Sequence, residues 1–183
     1  MAAKRHERTY ARKQAVQVLY QAEILDAAPE VLLEDESSFI DGAKPSQYAL
    51  RLLTGIDENL TPIDELLGRY SENWAVDRMP AVDRAILRLA CYEMAYVDEV
   101  PVSVAINEAV DLAKEFGGED ESPRFVNGVL GRIAEYLEEH DGAMPEVPAW
   151  PDRAAAEGAA DGEAAEDAGD AAEGTAASEG GRE

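Results

Sequence analysis

The stretch AILRLACYEMAYV, residues Ala85 to Val97, constrains the fold more than any other part of the sequence. Only Arg88 and Glu93 in it are charged, and no glycine or proline interrupts it. Its apolar residues recur at four-residue spacings, which favours a helix over a strand. A helix that is apolar around most of its circumference must be buried. We therefore predict a helical domain with this segment at its centre.

Amphipathic segments flank the central stretch on both sides. Apolar residues recur every three or four positions from Arg8 to Asp26 and from Val102 to Phe116, as on one face of a helix. Ser46 and Thr61, which Pro62 follows, are predicted to cap helix starts. Nothing in residues 1–140 requires a sheet, so the predicted fold is all-α, a compact single-domain bundle of about seven helices.

Glycines are expected to serve two different purposes. Gly117 and Gly118 follow a helical pattern, in the position where left-handed backbone is tolerated at a helix end. Gly128 and Gly131 lie inside a later helical pattern. We expect these two to be small residues that let another element approach closely.

The C-terminal segment differs sharply in composition from the rest of the chain. Residues 141–183 consist mainly of Ala, Gly, Glu and Asp, with almost no large apolar residue after Trp150. Such a segment cannot bury enough surface to offset the entropy of ordering. The predicted organisation is therefore a helical domain at 1–140 and a disordered acidic tail at 141–183.

The net charge of −23 hides a cationic N-terminus. Lys4, Arg5, Arg8, Arg12 and Lys13 are accompanied there by a single acid, Glu7. Lys4, Arg8 and Arg12 are spaced four apart, so on a helix they would form a cationic ridge. The ridge is either a solvated face or an anion-binding surface, and its contrast with the acidic remainder favours the second interpretation.

The sequence contains no recognisable catalytic or metal-binding arrangement. His6 and His140 lie near opposite ends of the domain, without cysteines or acids at ligand spacing. Glu108 and Asp111 are expected on a solvated helix face, and Cys91 is expected to be a buried small hydrophobe. We predict a protein that is not an enzyme and uses no cofactor or metal. Without a signal peptide or membrane span, it is expected in the cytoplasm.

One further pair of residues is typical of nucleic-acid contacts. Arg124 and Phe125 follow the predicted helix start at Ser122 and Pro123. An aromatic ring beside a cation at a helix N-terminus can stack a base and hold a phosphate. Packing of Phe125 into the core is an equally good interpretation of this pattern. Trp74 is expected to be an apolar anchor in an earlier connection.

Four segments together resemble the NusB transcription antitermination family. They are ARKQAVQVLYQAE (Ala11 to Glu23), DRAILRLACYE (Asp83 to Glu93), VPVSVAINEAVDLAKEFG (Val100 to Gly117) and FVNGVLGRIA (Phe125 to Ala134). The resemblance covers nearly all of residues 5–137 in the family's order and spacing, and the tail has no counterpart. It implies a NusB-like all-helical domain that binds the boxA segment of ribosomal RNA leader transcripts together with NusE, a small-subunit ribosomal protein. The two would join an antitermination complex on RNA polymerase.

The resemblance also implies roles for individual residues. By position, the RNA-binding residues would be Lys4, Arg5, Arg8, Arg12, Tyr70, Arg124 and Phe125. Tyr20 and the region around Asp83 would bind NusE. The loop GGEDESPR between Phe116 and Phe125 is acidic and one residue longer than the usual family form, so its RNA contacts do not carry over directly.

Two alternative functions remain open at the level of sequence. A similar domain occurs as an accessory RNA-binding module of ribosomal RNA cytosine methyltransferases, an interpretation that would require this chain to be a truncation. The second is a pure protein-interaction scaffold, in which the ridge is merely solvated. Some family members are homodimers without NusE, so the resemblance also leaves a homodimer open.

Overall fold

A computed structural model describes residues 2–34, 43–71, 74–117 and 121–146, with the backbone alone at residues 2–5, 30 and 34. Within these ranges the chain forms seven α-helices, one short 3-10 turn at Val76–Arg78 and no strand. The helices are α1 (Ala2–Ile24), α2 (Pro29–Glu34), α3 (Gln47–Glu58), α4 (Leu60–Tyr70), α5 (Ala81–Tyr96), α6 (Val102–Phe116) and α7 (Ser122–Glu139). The all-α prediction with about seven helices is confirmed.

Helix α5 is the centre of the domain. It packs against α1, α3, α4, α6 and α7. The side chains that it contributes to the core are Ala85, Ile86, Leu87, Leu89, Ala90, Cys91 and Tyr92. Burying a leucine or isoleucine side chain contributes about 1.5–3 kcal/mol to folding, which is why the neighbouring helices collect around this one. The predicted buried central helix is confirmed, and it begins at Ala81, four residues before the apolar stretch.

Helix α1 is longer at its N-terminus than the sequence pattern predicted. It begins at Ala2, so the basic residues from Lys4 onward all lie within the helix. It ends at Ile24, and two residues later Asp26 adopts a left-handed backbone with φ 51°. The Ala27 amide then donates to the Ala22 carbonyl at 2.9 Å, a hydrogen bond typical of a helix C-terminus.

The start of α3 was predicted correctly and the start of α4 was not. Ser46 caps α3, because its side chain accepts a hydrogen bond from the Ala49 amide at 3.2 Å. Helix α4 begins at Leu60, so Thr61 lies inside its first turn rather than capping it. The reason is Asn59, whose side-chain amide donates to the Gly55 carbonyl at 2.8 Å and closes α3 immediately before α4 starts.

The predictions for Gly117, Gly128 and Gly131 were wrong in their physical reasons, and Gly118 lies outside the described residues. Gly117 ends α6 with φ −64°, outside the left-handed region. It is glycine for lack of space, since a Cβ there would overlap Ala113 and Ser122. Gly128 and Gly131 are not sites of close approach, because a Cβ at either position would meet no described atom within 4 Å. The close approach is at Gly55, where a Cβ would overlap the Tyr92 ring.

The domain continues a few residues past the predicted boundary at 140. The Gly142 amide donates to the Leu137 carbonyl at 2.7 Å, and Met144 packs against the core. Residues 141–146 therefore belong to the folded domain. Residues 147–183, the remainder of the predicted tail, lie outside the described residues.

Candidate RNA-binding and partner-binding surfaces

Arg8 lies at the surface of α1 and faces α3. Its guanidinium carbon is 4.9 Å from the centre of the Tyr48 ring, within the range of a cation–π contact. Its Nη1 also donates to the backbone carbonyl of Glu99 at 3.4 Å. The side chain is half-buried, so it keeps a solvent-facing edge that an anion can approach.

Arg12 is not part of an exposed ridge, which corrects the sequence prediction. It is 2% exposed, and its Nε donates to the two carboxylate oxygens of Glu93 at 3.0 and 2.9 Å. Its Nη1 lies 3.2 Å from Glu108. Although burial alone lowers the pKa of Arg12, the two carboxylates raise it above its ordinary value. Arg12 is therefore an internal partner of two glutamates and is unavailable to a phosphate.

Two hydroxyl groups complete the interior network around Arg12. The Tyr48 hydroxyl donates to Glu93 Oε1 at 2.5 Å, and the Thr9 hydroxyl donates to Glu108 Oε2 at 2.8 Å. Burial, followed by the nearby charge of Glu93, raises the pKa of Tyr48 above its ordinary value, so it remains a donor. The network joins α1, α3, α5 and α6. The expectation that Glu108 is solvated is wrong, because this carboxylate is buried.

A sequence signal for this network was present and was missed. Glu93 is one of only two charged residues in the apolar stretch at the centre of the fold. A carboxylate on a buried helix requires a cation and hydrogen-bond donors, since an unpaired buried charge is very costly. Glu93 therefore predicts an inward-facing Arg or Lys elsewhere. Arg12 is the inward-facing cation, but its four-residue spacing from Arg8 led us to assign it to the exposed ridge.

The second predicted RNA-binding region lies at the start of α7. Arg124 is exposed, and Phe125 is half-buried with its ring centre 6.5 Å from that of Trp74. Trp74 is 46% exposed, so the pair presents aromatic surface to solvent beside a cation. Phe125 also packs against the core, so the packing interpretation is met in part, and its contact with a base stays a prediction. Trp74 was expected to be only an anchor, and its exposure makes it a further candidate for base stacking. We call Trp74, Arg124 and Phe125 the aromatic cluster.

Tyr70 lies near the end of α4 and contacts a different aromatic residue. Its ring centre is 5.9 Å from that of Tyr136, which in turn stacks on His140 at 4.0 Å. Tyr70 is half-buried. Residues 118–120 of the acidic loop before α7 lie outside the described residues, so the predicted effect of its extra length stays a prediction.

The two candidate RNA-binding regions lie toward opposite ends of α5. Glu93, near the C-terminal end of α5, binds Arg12 close to Arg8. Asp83, in its first turn, binds Ser122 at the start of α7 next to the aromatic cluster. Ten residues of α-helix separate Asp83 from Glu93, or about 15 Å along the axis. A ligand that contacts both regions must therefore be extended.

The two predicted partner-binding residues occupy different environments. Tyr20 on α1 is 39% exposed and is accessible to a partner. Asp83 is 5% exposed and accepts a hydrogen bond from the Ser122 hydroxyl, which joins α5 to α7. The prediction that Asp83 itself contacts a partner is corrected, because its carboxylate is turned inward. The exposed neighbourhood of Tyr20 includes Ile24 and Leu25 at the end of α1.

The described residues offer neither a metal-binding group nor a membrane-spanning helix. Among these residues, no cluster of three or more His, Cys, Asp or Glu side chains is arranged to hold a metal ion. No described helix is long and apolar enough to cross a membrane. Cys91 is buried, and burial raises the pKa of its thiol to about 12. This describes an inert core residue rather than a nucleophile.

Comparison with known proteins gives consistent matches over the helical domain. The NusB family matches residues 9–135. The transcription antitermination protein NusB of Salinispora arenicola is 47% identical over 131 residues, which cover 70% of this chain and 96% of that protein. The structure of T. maritima NusB is similar with a TM-score of 0.61 and 39% identity, covering 70% of this chain and 90% of its own.

A further solved structure contains antitermination factors NusB and NusE in complex with dsRNA. It matches with a TM-score of 0.60 and 26% identity, covering 72% of this chain and 98% of the matched chain. The helical fold, the family match and the sequence identity to the relative from Salinispora arenicola all concern the helical domain. The chain therefore belongs to the NusB family of transcription antitermination proteins.

Proposed function

We propose that this protein is a transcription antitermination factor that binds boxA RNA of ribosomal RNA leader transcripts together with NusE. In the cytoplasm it would help RNA polymerase to read through terminators, without catalysing a reaction itself. The observation that carries the proposal is the similarity to a NusB that was solved with NusE and dsRNA. Its membership in the family supports the antitermination role.

The charges and rings of this chain are suited to an extended RNA. The first two turns of α1 contain Lys4, Arg5 and Arg8, which we call the cationic cluster. The first turn of this helix contains no acidic residue. Cations at a helix N-terminus oppose the helix dipole, so this placement costs some stability and is better explained by an anionic ligand. Toward the other end of α5, the aromatic cluster offers ring surface for stacking and the positive charge of Arg124. Arg12, being internal, supports α1 from inside.

A salt titration of RNA affinity tests the proposal. The full chain with NusE is titrated with boxA RNA and with a scrambled RNA of equal length. Each phosphate contact to single-stranded RNA contributes about −0.7 to the slope of log affinity against log salt. Arg8→Gln should reduce the slope by about that amount for both RNAs. Lys114→Gln, which removes an exposed ion-paired cation on α6, is the matched control and should leave the slope unchanged.

The outcomes separate the proposal from its alternatives. Preference for boxA over scrambled RNA, together with the Arg8 effect, supports it. NusE binding without measurable RNA binding by the pair would favour a protein-interaction scaffold. Equal slopes for Arg8→Gln and Lys114→Gln would show that RNA does not contact Arg8.

A further inference from the structure

A second arginine lies close to Arg8 on the adjacent helix. Arg51 is on α3, one turn after Tyr48, and is exposed. Its Nη1 lies 3.5 Å from Glu99 Oε2, while Arg8 donates to the backbone carbonyl of the same glutamate. The two guanidinium groups therefore approach one residue, Glu99, in the turn between α5 and α6. No sequence signal or family resemblance assigned a function to Arg51 or Glu99.

The contacts that hold these two arginines are weak and easily exchanged. The side chains of Arg51 and Glu99 are 46% and 57% exposed, and exposed ion pairs of this kind contribute little to stability. A guanidinium has five N–H donors, of which each arginine uses one in the contacts with Glu99. As far as the described residues show, both arginines therefore keep further N–H donors for a ligand with several acceptor oxygens.

The position of Arg8 is supported from inside the protein. Its guanidinium rests on the Tyr48 ring, and the Tyr48 hydroxyl is held by Glu93. Glu93 is in turn held by the buried Arg12. This arrangement holds one face of Arg8 against the Tyr48 ring, while the half-buried side chain stays partly accessible to solvent. An ordered guanidinium loses less conformational freedom when it binds a phosphate.

We propose that Arg8 and Arg51 form a phosphate-binding pair that extends the RNA surface from α1 onto α3, and that Glu99 occupies this pair when RNA is absent. A phosphate oxyanion replaces the Glu99 carboxylate on Arg51, which can bind it with two parallel hydrogen bonds. Glu99 stays in the adjacent turn, where its charge repels anions that cannot bind both Arg8 and Arg51. The inference deepens the proposed function and rests on it.

The position of the pair beside the cationic cluster favours an RNA backbone as its ligand. The backbone of α1 places Arg5 and Lys4 about one turn before Arg8, so further basic residues adjoin the pair along the helix. RNA carries a phosphate at every nucleotide, and a guanidinium can bind one of them through two parallel hydrogen bonds. The choice of RNA over an acidic protein segment rests on the proposed function.

Affinity measurements on the full chain with NusE test the inference. Arg51→Gln should weaken binding to boxA RNA and reduce the salt slope by about 0.7, as one lost phosphate contact does. Glu99→Gln should tighten binding by about 1.5- to 5-fold, the range that corresponds to an exposed ion pair. Lys114→Gln and Asp111→Asn, which remove the two charges of an exposed pair on α6, are the matched controls.

A double variant distinguishes a specific exchange from a general effect of charge. In the Arg51→Gln background, the gain in affinity for boxA RNA that Glu99→Gln produces should fall to the level of the Asp111→Asn control. If it persists in full, Glu99 acts only through the overall field and the proposed exchange is wrong.

The test also separates this inference from the proposed function. If Arg8→Gln changes the salt slope and Arg51→Gln does not, RNA binds α1 and the extension onto α3 is wrong. If neither variant changes the slope, the proposed use of α1 fails as well. Circular dichroism confirms that each variant is folded, which is expected because Arg51 and Glu99 are exposed.

Discussion

Arg12 shows how one buried charge controls the stability of several elements. Its guanidinium is the cation between the carboxylates of Glu93 and Glu108, on α5 and α6. Removing one partner of a buried pair leaves an uncompensated charge, which typically costs about 3–5 kcal/mol. Here two carboxylates would lose the same partner. The network therefore adds a polar connection between α1 and the helices α5 and α6 to the apolar packing of α1 in the core.

Arg12→Met is expected to lower the free energy of unfolding by about 3–5 kcal/mol, measured by urea denaturation. Lys13→Met is the neighbouring control, because Lys13 forms only a partly exposed pair with Glu115 and should cost less than about 1 kcal/mol. Adding Glu93→Gln to Arg12→Met should restore part of the loss by removing one unpaired charge. Equal losses in Arg12→Met and Lys13→Met would contradict the buried network.

Phe125 combines a structural and a functional role, and the two can be separated. It packs against the core and also faces Trp74. Phe125→Leu should keep most of the apolar packing while removing the aromatic face. We expect a loss of about 1–3 kcal/mol in RNA binding, the range for one stacked base, with an unchanged salt slope. Affinity for boxA RNA at several salt concentrations measures both quantities, and a flattened slope would argue against stacking.

At the scale of elements, the junction between α5 and α7 depends on Asp83. Its buried carboxylate accepts a hydrogen bond from Ser122, which lies two residues before Arg124 and three before Phe125. Asp83 lies in the first turn of α5, where a negative charge is favourable to the helix dipole. Its role is therefore to fix the start of α7 against the central helix, and through it the aromatic cluster.

Asp83→Arg should destabilise the domain by at least about 2 kcal/mol, because it buries an unpaired cation and leaves Ser122 without its acceptor. Thermal unfolding followed by circular dichroism measures the loss. Tyr20→Ala is the matched surface variant, and it should weaken NusE binding with little change in unfolding. If Asp83→Arg unfolds like the wild type, its carboxylate is not the junction that the structure indicates.

Three glycines give opposite expectations within similar helices. Gly128→Ala and Gly131→Ala add a methyl group in open space on α7 and should each stabilise by about 0.4–1 kcal/mol. Gly55→Ala on α3 would displace the Tyr92 ring, and overpacking of this kind costs about 1–3 kcal/mol. Unfolding midpoints in urea compare the three variants. Stabilisation by Gly55→Ala would mean that Tyr92 moves away without cost.

At the scale of the whole molecule, helical periodicity was sufficient to predict the fold, and side-chain direction was the main source of error. The spacing around Ile86 predicted the buried centre because apolar periodicity averages over many residues. Arg12 was placed on the surface by its four-residue spacing from Arg8, Glu108 by its residue type, and Asp83 by the family resemblance, and all three are buried. Which polar side chain turns inward depends on partners distant in sequence, and periodicity carries no information about them. The start of α4 was missed for a related reason, since Asn59 both closes one helix and precedes the next.

The folded domain extends beyond the end of the family match. The family match stops at residue 135, whereas Gly142 and Met144 still contact the helical domain. Truncation after Glu146 should leave the thermal midpoint unchanged, because the removed residues 147–183 contain almost no large apolar side chain. Truncation after His140 also removes Met144 and the Gly142 hydrogen bond. We expect it to lower the midpoint by about 2–4 °C, which corresponds to about 1 kcal/mol.

RNA binding by the same two truncations reveals what the acidic segment does. Residues 147–183 contain ten acidic and two basic residues, so their removal should tighten binding to scrambled RNA. The effect should disappear at high salt, where charges farther apart than a Debye length are screened. Binding to boxA RNA should tighten less, because its specific contacts are unchanged.

The thermal midpoints of the same two truncations test where the domain ends. If truncation after Glu146 lowers the midpoint as much as truncation after His140, the stabilising contacts lie beyond residue 146 and the proposed end of the domain is wrong.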